Sequence, residues 1–292
     1  VIFENKTQLA HSELASIEVG DSKTAALTVV FIHGWLDNAA SFTSLLSACH
    51  QRMPDVHLVA IDLPGHGLSS CRELDSFYPF HDYIDDVHQF LQILSPNKLI
   101  IVGHSLGALI ASCYSAAFAD KVDGLVQIEG VGPLAEPESK AVERLRKGVL
   151  SRAKIREKRR RGFNRREDMV RLRSTINGVE ETKIFPLVER GTVFDGEHWH
   201  WRHDPKLQSD SLYRMSEEHA LSIMKAIRCP QQIILGEQGF DYLRLKAEQL
   251  IKPGKKEDSP YLDITYVPGG HHCHIQQPKL TSEIISVLVN KI

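Results

Sequence analysis

The stretch Lys98-Leu99-Ile100-Ile101-Val102-Gly103-His104-Ser105-Leu106-Gly107-Ala108 decides the reading of this chain. Residues 98–102 are an apolar run of strand length, and residues 108–119 follow a helical pattern rich in Ala, Leu and Ile. A serine between two glycines at a strand-to-helix junction has the form of the nucleophile elbow G-x-S-x-G. The turn is too tight for flanking side chains, so Gly103 and Gly107 let it close. Its consequence is a strained Ser105 backbone that pushes Oγ out at the carboxyl end of a sheet. The following helix aims its unpaired N–H groups and positive dipole end at that oxygen.

Working outward, buried-strand runs recur at residues 27–32, 57–62, 98–103, 124–128, 232–235 and 262–267. Helical patterns separate them at about 39–50, 81–94, 105–119, 216–228, 241–251 and 277–291. Short apolar strands alternating with helices predict an α/β fold with a mostly parallel central sheet flanked by helices. Residues 11–19 alternate more loosely and read as an antiparallel edge strand. Residues 133–215 break the rhythm: no clear strand occurs, and Pro133, Pro137, Pro186 and Pro205 punctuate helical pieces. The predicted organisation is a core of residues 1–132 and 216–292, with 133–215 as a helical cap (lid) inserted between strands.

Acyl transfer needs a nucleophile, a base, a group that orients the base, and donors for the oxyanion. The base is expected on a loop after the last strand. There the chain reads Val267-Pro268-Gly269-Gly270-His271-His272-Cys273-His274. His271, directly after the glycines, is the first choice, with His272 and His274 as fallbacks. Asp241, in Gly236-Glu237-Gln238-Gly239-Phe240-Asp241, is the leading orienting acid and preserves the chain order Ser, Asp, His. Glu129, just after the strand at 124–128, is the alternative acid. The expected oxyanion donors are the backbone N–H groups of Leu106 and Trp35. His104, Trp199 and Trp201 are candidates for binding substrate, although the two tryptophans equally suit packing of the cap onto the core.

The bulk properties narrow the classes. A net charge of −2 provides no global field for nucleic acid or membrane, and no apolar run reaches the ~20 residues of a bilayer span. No signal-peptide pattern is visible, so no stable membrane insertion and a cytoplasmic location are expected. Five irregularly spaced cysteines, 49, 71, 113, 229 and 273, read as buried free thiols, not as a disulfide or zinc framework. Cys273, beside the histidines, is a weak alternative nucleophile. Those histidines lack H-E-x-x-H and a carboxylate at ligand spacing, so no metal and no cofactor are expected. The basic stretch from Arg144 to Arg173, Arg159 included, reads as a solvated helix face or an electropositive lid. It lacks the aromatic interleaving of a nucleic-acid surface. The expected partner is a small acyl substrate; composition does not give the oligomeric state.

Four segments together resemble the motif series of the α/β-hydrolase superfamily. They are His33-Gly34-Trp35-Leu36-Asp37-Asn38, Asp62-Leu63-Pro64-Gly65-His66-Gly67-Leu68-Ser69, Gly103-His104-Ser105-Leu106-Gly107 and Gly269-Gly270-His271. Through H-G-W-L-D-N the chain is similar to the serine hydrolase-like proteins. The resemblance covers everything but residues 133–215, which it makes a cap over the site. It implies the α/β-hydrolase fold and cleavage of a carboxylic ester or thioester through an acyl-enzyme. C–C bond hydrolase, lactonase, perhydrolase and slow ligand receptor are the alternatives. In many members the acid stands three residues after the glycine that ends its strand. That position here is Gly239, and a carboxylate appears only at Asp241. A serine at the elbow separates the chain from superfamily relatives with a carboxylate nucleophile.

Overall fold

Val29 and Phe31 pack into one hydrophobic cluster, while Val30 and Ile32 pack into another on the opposite side. A strand apolar on both faces is stable only where both faces are covered, and this one lies near the middle of an eight-stranded sheet. The computed structural model describes residues 2–158, 160–250 and 262–292. In chain order its core elements begin with strands β1 (Ile2–Gln8), β2 (Glu13–Val19) and β3 (Thr28–Ile32), then helix α1 (Thr43–Arg52). Strand β4 (His57–Ile61), α2 (Asp82–Leu94), β5 (Leu99–His104), α3 (Leu106–Ala117) and β6 (Gly124–Ile128) follow. After β6 come α4 (Ala141–Glu157), α5 (Arg166–Asn177), α6 (Glu181–Arg190) and a hairpin of β7 (Thr192–Phe194) and β8 (Trp199–Trp201). The chain returns through α7 (Glu217–Ala226) to β9 (Gln231–Gly236), α8 (Asp241–Leu250), β10 (Leu262–Val267), the short α9 (Cys273–Gln276) and α10 (Pro278–Val289).

The sheet order is β1-β2-β4-β3-β5-β6-β9-β10. From β4 to β10 all pairings are parallel, and β1 and β2 join antiparallel at one side. Parallel strands bring all their carboxyl ends to one edge, so the loops after β3, β5, β6, β9 and β10 gather there. This is the α/β-hydrolase fold that the alternating pattern and the motif series lead one to expect.

Three expectations are corrected. The segment at 11–19 is β2 and antiparallel as expected, but it is not the edge. β1 covers it, a strand with mostly exposed side chains and therefore no alternating apolar signal. Residues 133–215 do contain strands, β7 and β8, each three residues long and too short to show a period. The helix expected from residue 39 starts as a 3-10 turn, Ala39–Phe42, capped by the Asn38 side chain, and becomes α-helical at Thr43. Ile251 and Arg159 lie outside the described residues.

The inserted stretch carries its own small core of Met169, Val170, Ile184, Leu187 and Val188, joined by Ile275 of α9. Polar ties bind it to the sheet. Arg190 meets the fully buried Asp62 at 2.9 Å, Asn38 Nδ2 donates to Leu187 O, and Tyr78 donates to Asp204. Asp62 also accepts from Ala39 N and Leu68 N, so this carboxylate holds the loop after β4 in place.

Candidate active site

Ser105 stands between β5 and α3 with φ 49° and ψ −115°. A non-glycine residue held there is strained, and such strain persists only where the surroundings over-determine it. The flanking glycines show why. A Cβ on Gly103 would lie 2.3 Å from Gly107 O, and one on Gly107 would lie 1.9 Å from Ile32 O. Helix α3 is thus pressed against β3 and the elbow has room for hydrogen only. Among the described residues, four non-glycines have positive φ, and three of them, Leu36, Ser105 and Glu129, stand at this sheet edge. The Ser105 side chain caps none of the helix amides and opens into a cleft walled by Trp35, Leu106, Leu109 and Leu207.

The backbone amides of Trp35 and Leu106 have no acceptor among the described residues, which leaves both donors free. The turn that presents Trp35 is locked by two neutral histidines. His66 Nδ1 donates to Pro64 O and Nε2 accepts from Leu36 N. His33 Nδ1 donates to Gly34 O and Nε2 accepts from Leu63 N. Burial lowers the pKa of both, well below the ordinary value for His66, so each stays uncharged in its bonding tautomer.

His271 stands after β10 as expected. Its Nδ1 lies 3.0 Å from Glu129 Oε2. With Nδ1–H donating to the carboxylate, Nε2 keeps its lone pair. Burial lowers the His271 pKa, while the hydrogen bond to Glu129 works the other way without cancelling it. Phe240 packs on the ring at 4.6 Å between centroids, and His104 Nε2 donates to His271 O at 2.8 Å. His104 directly precedes Ser105, so this bond ties the elbow to the histidine loop.

The expected acid is corrected. Asp241 opens α8 with an exposed side chain paired to Arg244, away from the imidazole. Glu129 takes the position beside His271, nearly fully buried, and its other oxygen accepts from Gly236 N at 2.7 Å. Gly239 explains the exchange. A Cβ there would sit 2.4 Å from Glu129 Oε1. The position three residues after Gly236 therefore carries no side chain, and the carboxylate of Glu129, just after β6, fills that space.

The substrate-binding candidates are also corrected. Trp199 and Trp201 pack with Phe163 against the core of the insertion and do not line the cleft at Ser105. His104 is fully buried with its ring among those of His271, His272 and His274, below the cleft. Cys273 is buried and its thiol is pushed up to about 12 by that burial, which does not suit a nucleophile. Cys71, expected to be buried, is exposed.

Sequence reasoning missed a polar cluster behind the base. Asp37 meets His272 Nε2 at 3.1 Å, His104 Nδ1 at 3.5 Å, and Arg173. Burial alone would raise the Asp37 carboxyl, but His272, His104 and Arg173 outweigh it and hold it well below the usual range. Asp37, His104 and His272 bring three potential ligand atoms within 4.8 Å of one another. Arg173 already neutralises that carboxylate, so a divalent ion would add uncompensated positive charge to a buried site. The cluster fits better as a brace for the histidine loop than as a metal centre. The signal available in the sequence was the Asp of H-G-W-L-D-N, whose partners are distant in the chain.

The model of the alpha/beta hydrolase fold family matches residues 28–166. A serine hydrolase-like protein of Danio rerio is 25% identical over 88% of this chain and 80% of its own length. Serine hydrolase-like protein 2 of Homo sapiens is 26% identical over 88% of this chain and 85% of its own. Among solved structures, a hypothetical protein from Pseudomonas aeruginosa PAO1 is 26% identical, with a TM-score of 0.86 over 98% of this chain and 99% of that one.

Proposed function

We propose, from the premise that the chain belongs to the α/β-hydrolase superfamily close to the serine hydrolase-like proteins, that it cleaves a carboxylic ester or thioester through an acyl-enzyme on Ser105. The observation that carries this reading is the His271–Glu129 pair, whose loop is tied through His104 to the elbow of the strained Ser105, together with two backbone amides that have no acceptor among the described residues. In this mechanism the Ser105 hydroxyl attacks the acyl carbonyl while His271 Nε2 takes its proton. Glu129 holds the imidazole in the Nδ1–H tautomer and stabilises the imidazolium as it forms. The amides of Trp35 and Leu106 receive the developing oxyanion, a contribution of ~3 kcal/mol per donor. The imidazolium then protonates the departing alcohol or thiol, and water, activated by the same base, releases the acid.

Residues 133–215 act as the cap of this site. Their ties to Asp62, Asn38 and Asp37 hold a roof over the sheet edge, and Trp35 Nε1 donates to Leu207 O at the cleft wall. A reducing, cytoplasmic setting suits five unpaired thiols. No helix among the described residues is long and apolar enough to cross a membrane.

The test is labelling with a fluorophosphonate, mapping of the adduct, and turnover of chromogenic acyl esters. An adduct on Ser105 with turnover supports the reading. Turnover unchanged in Ser105→Ala would overturn it.

A further inference from the structure

Arg214 lines the cleft of Ser105 and also an adjoining cavity of about 150 Å³ whose apolar wall includes Leu109, Leu134, Leu207 and Met215. Its guanidinium has no ion pair and no hydrogen bond among the described residues. The arginine beside it, Arg144, is committed to Glu136. The acids nearest to Arg214 are committed too. Glu136 is clamped by Arg144, and Asp210 pairs with Lys147 at 3.2 Å. On the Ser105 side, Glu129 is spent on His271 and Gly236 N. Lys246 stands in the same cleft and uses a single donor on Pro133 O.

A partly buried guanidinium with no direct hydrogen-bond or ion-pair partner is costly to hold, and its fork of donors matches a carboxylate. We infer that Arg214 is the anchor for an anionic group on the substrate, so that the acyl portion is an apolar chain ending in a carboxylate. This rests on the acyl-enzyme reading above. The chain lies along Leu109, Leu134 and Leu207, with its reacting carbonyl at Ser105 and its far carboxylate at Arg214. Burial draws the Arg214 pKa below its ordinary value and Arg144 adds to this, while Glu136 and Asp210 act the other way; an arriving carboxylate favours the charged form further.

The experiment compares aryl monoesters of adipic and suberic acid with their methyl-capped neutral isosteres and with ω-phosphonate analogues. For the wild type, kcat/KM is expected to favour the free carboxylate over the capped ester by roughly tenfold to a hundredfold. Arg214→Gln is expected to collapse that ratio toward unity and Arg214→Lys to retain part of it. Thermal unfolding of both variants reports whether they fold. An equal ratio in wild type and Arg214→Gln, or no preference in the wild type, overturns the inference while leaving ester hydrolysis standing. A preference for phosphonate alone overturns the carboxylate assignment. A second measurement does not need turnover. Free suberate should raise the unfolding temperature of wild type and of Ser105→Ala more than octanoate does. Equal shifts count against the anchor even if no ester is cleaved, and absence of all cleavage counts against the hydrolase reading instead.

Discussion

Glu129 Oε2 and His271 Nδ1 lie 3.0 Å apart although 142 positions separate the residues in the chain. One directly follows β6 and the other follows β10, two strands that are not neighbours, with β9 between them. The carboxylate crosses the end of β9 to reach the ring, and it can do so because Gly236 offers its N–H and Gly239 offers an empty volume.

That placement separates two acids that are alike in sequence. Replacing Glu129 with Gln keeps the shape and removes the charge that stabilises the imidazolium. A fall in kcat of ~10²–10⁴-fold on a chromogenic ester is expected. Asp241→Asn touches only an exposed pair with Arg244 and should leave kcat within about twofold. Steady-state kinetics of the two variants decide between them, and a larger loss in Asp241→Asn would reverse the assignment.

Ser105→Ala removes the nucleophile while leaving the free amides of Trp35 and Leu106 in place. Turnover should fall by about 10⁴-fold or more, with some residual catalysis from the remaining site. Fluorophosphonate should no longer form an adduct, read by intact-mass spectrometry.

The pH profile follows from the environment of His271. Burial lowers its pKa, so the neutral, proton-accepting form persists below the ordinary imidazole value of about 6.5. The kcat/KM for a neutral ester should therefore rise with pH through an inflection below 6.5 and stay level above it. In Glu129→Gln the charge that favours the imidazolium is gone, so the inflection should move lower still. An upward move would contradict the assigned pairing.

Gly239→Ala is a positioning test. Its new methyl would need the space of the Glu129 carboxylate, 2.4 Å away, and a flexible side-chain end gives way before backbone does. We expect kcat to drop at least tenfold with a small change in unfolding temperature, together with the lowered pH inflection of Glu129→Gln. A purely structural role for Gly239 would lower stability without moving that inflection.

Stability should also depend on pH. His33, His66 and His274 are buried and have pKa values lowered chiefly by burial, those of His66 and His274 strongly. Below about 6.5 the unfolded chain takes up protons that the folded one refuses, so the contribution present above that pH is lost progressively as pH falls. The unfolding temperature should decline from pH 7 toward pH 5. His66→Gln is expected to shallow that decline, measured by calorimetry across the range.

How far the chain could be read in advance depended on whether a feature was local. The elbow at Gly103–Gly107 and the histidine after Gly269-Gly270 are local: tight turns between periodic segments, legible because glycine alone fits the close approaches seen at Gly103 and Gly107. The buried strands were legible for the same reason, since β3 and β5 are apolar on both faces. β1 was not, because an exposed edge strand needs no pattern. The role of Trp199 and Trp201 stayed open between lining and packing because an aromatic run looks the same whether it lines a cleft or fills a core.

By itself the sequence determined the alternating α/β architecture, the strained serine and the loop that carries the base, each encoded by neighbours a few residues apart. Only the tertiary structure decided which carboxylate reaches the imidazole, what surrounds Asp37, and that Arg214 lines the cleft with no direct partner among the described residues. These depend on which strand ends adjoin and how much room a missing side chain leaves, quantities set by packing between residues far apart in the chain.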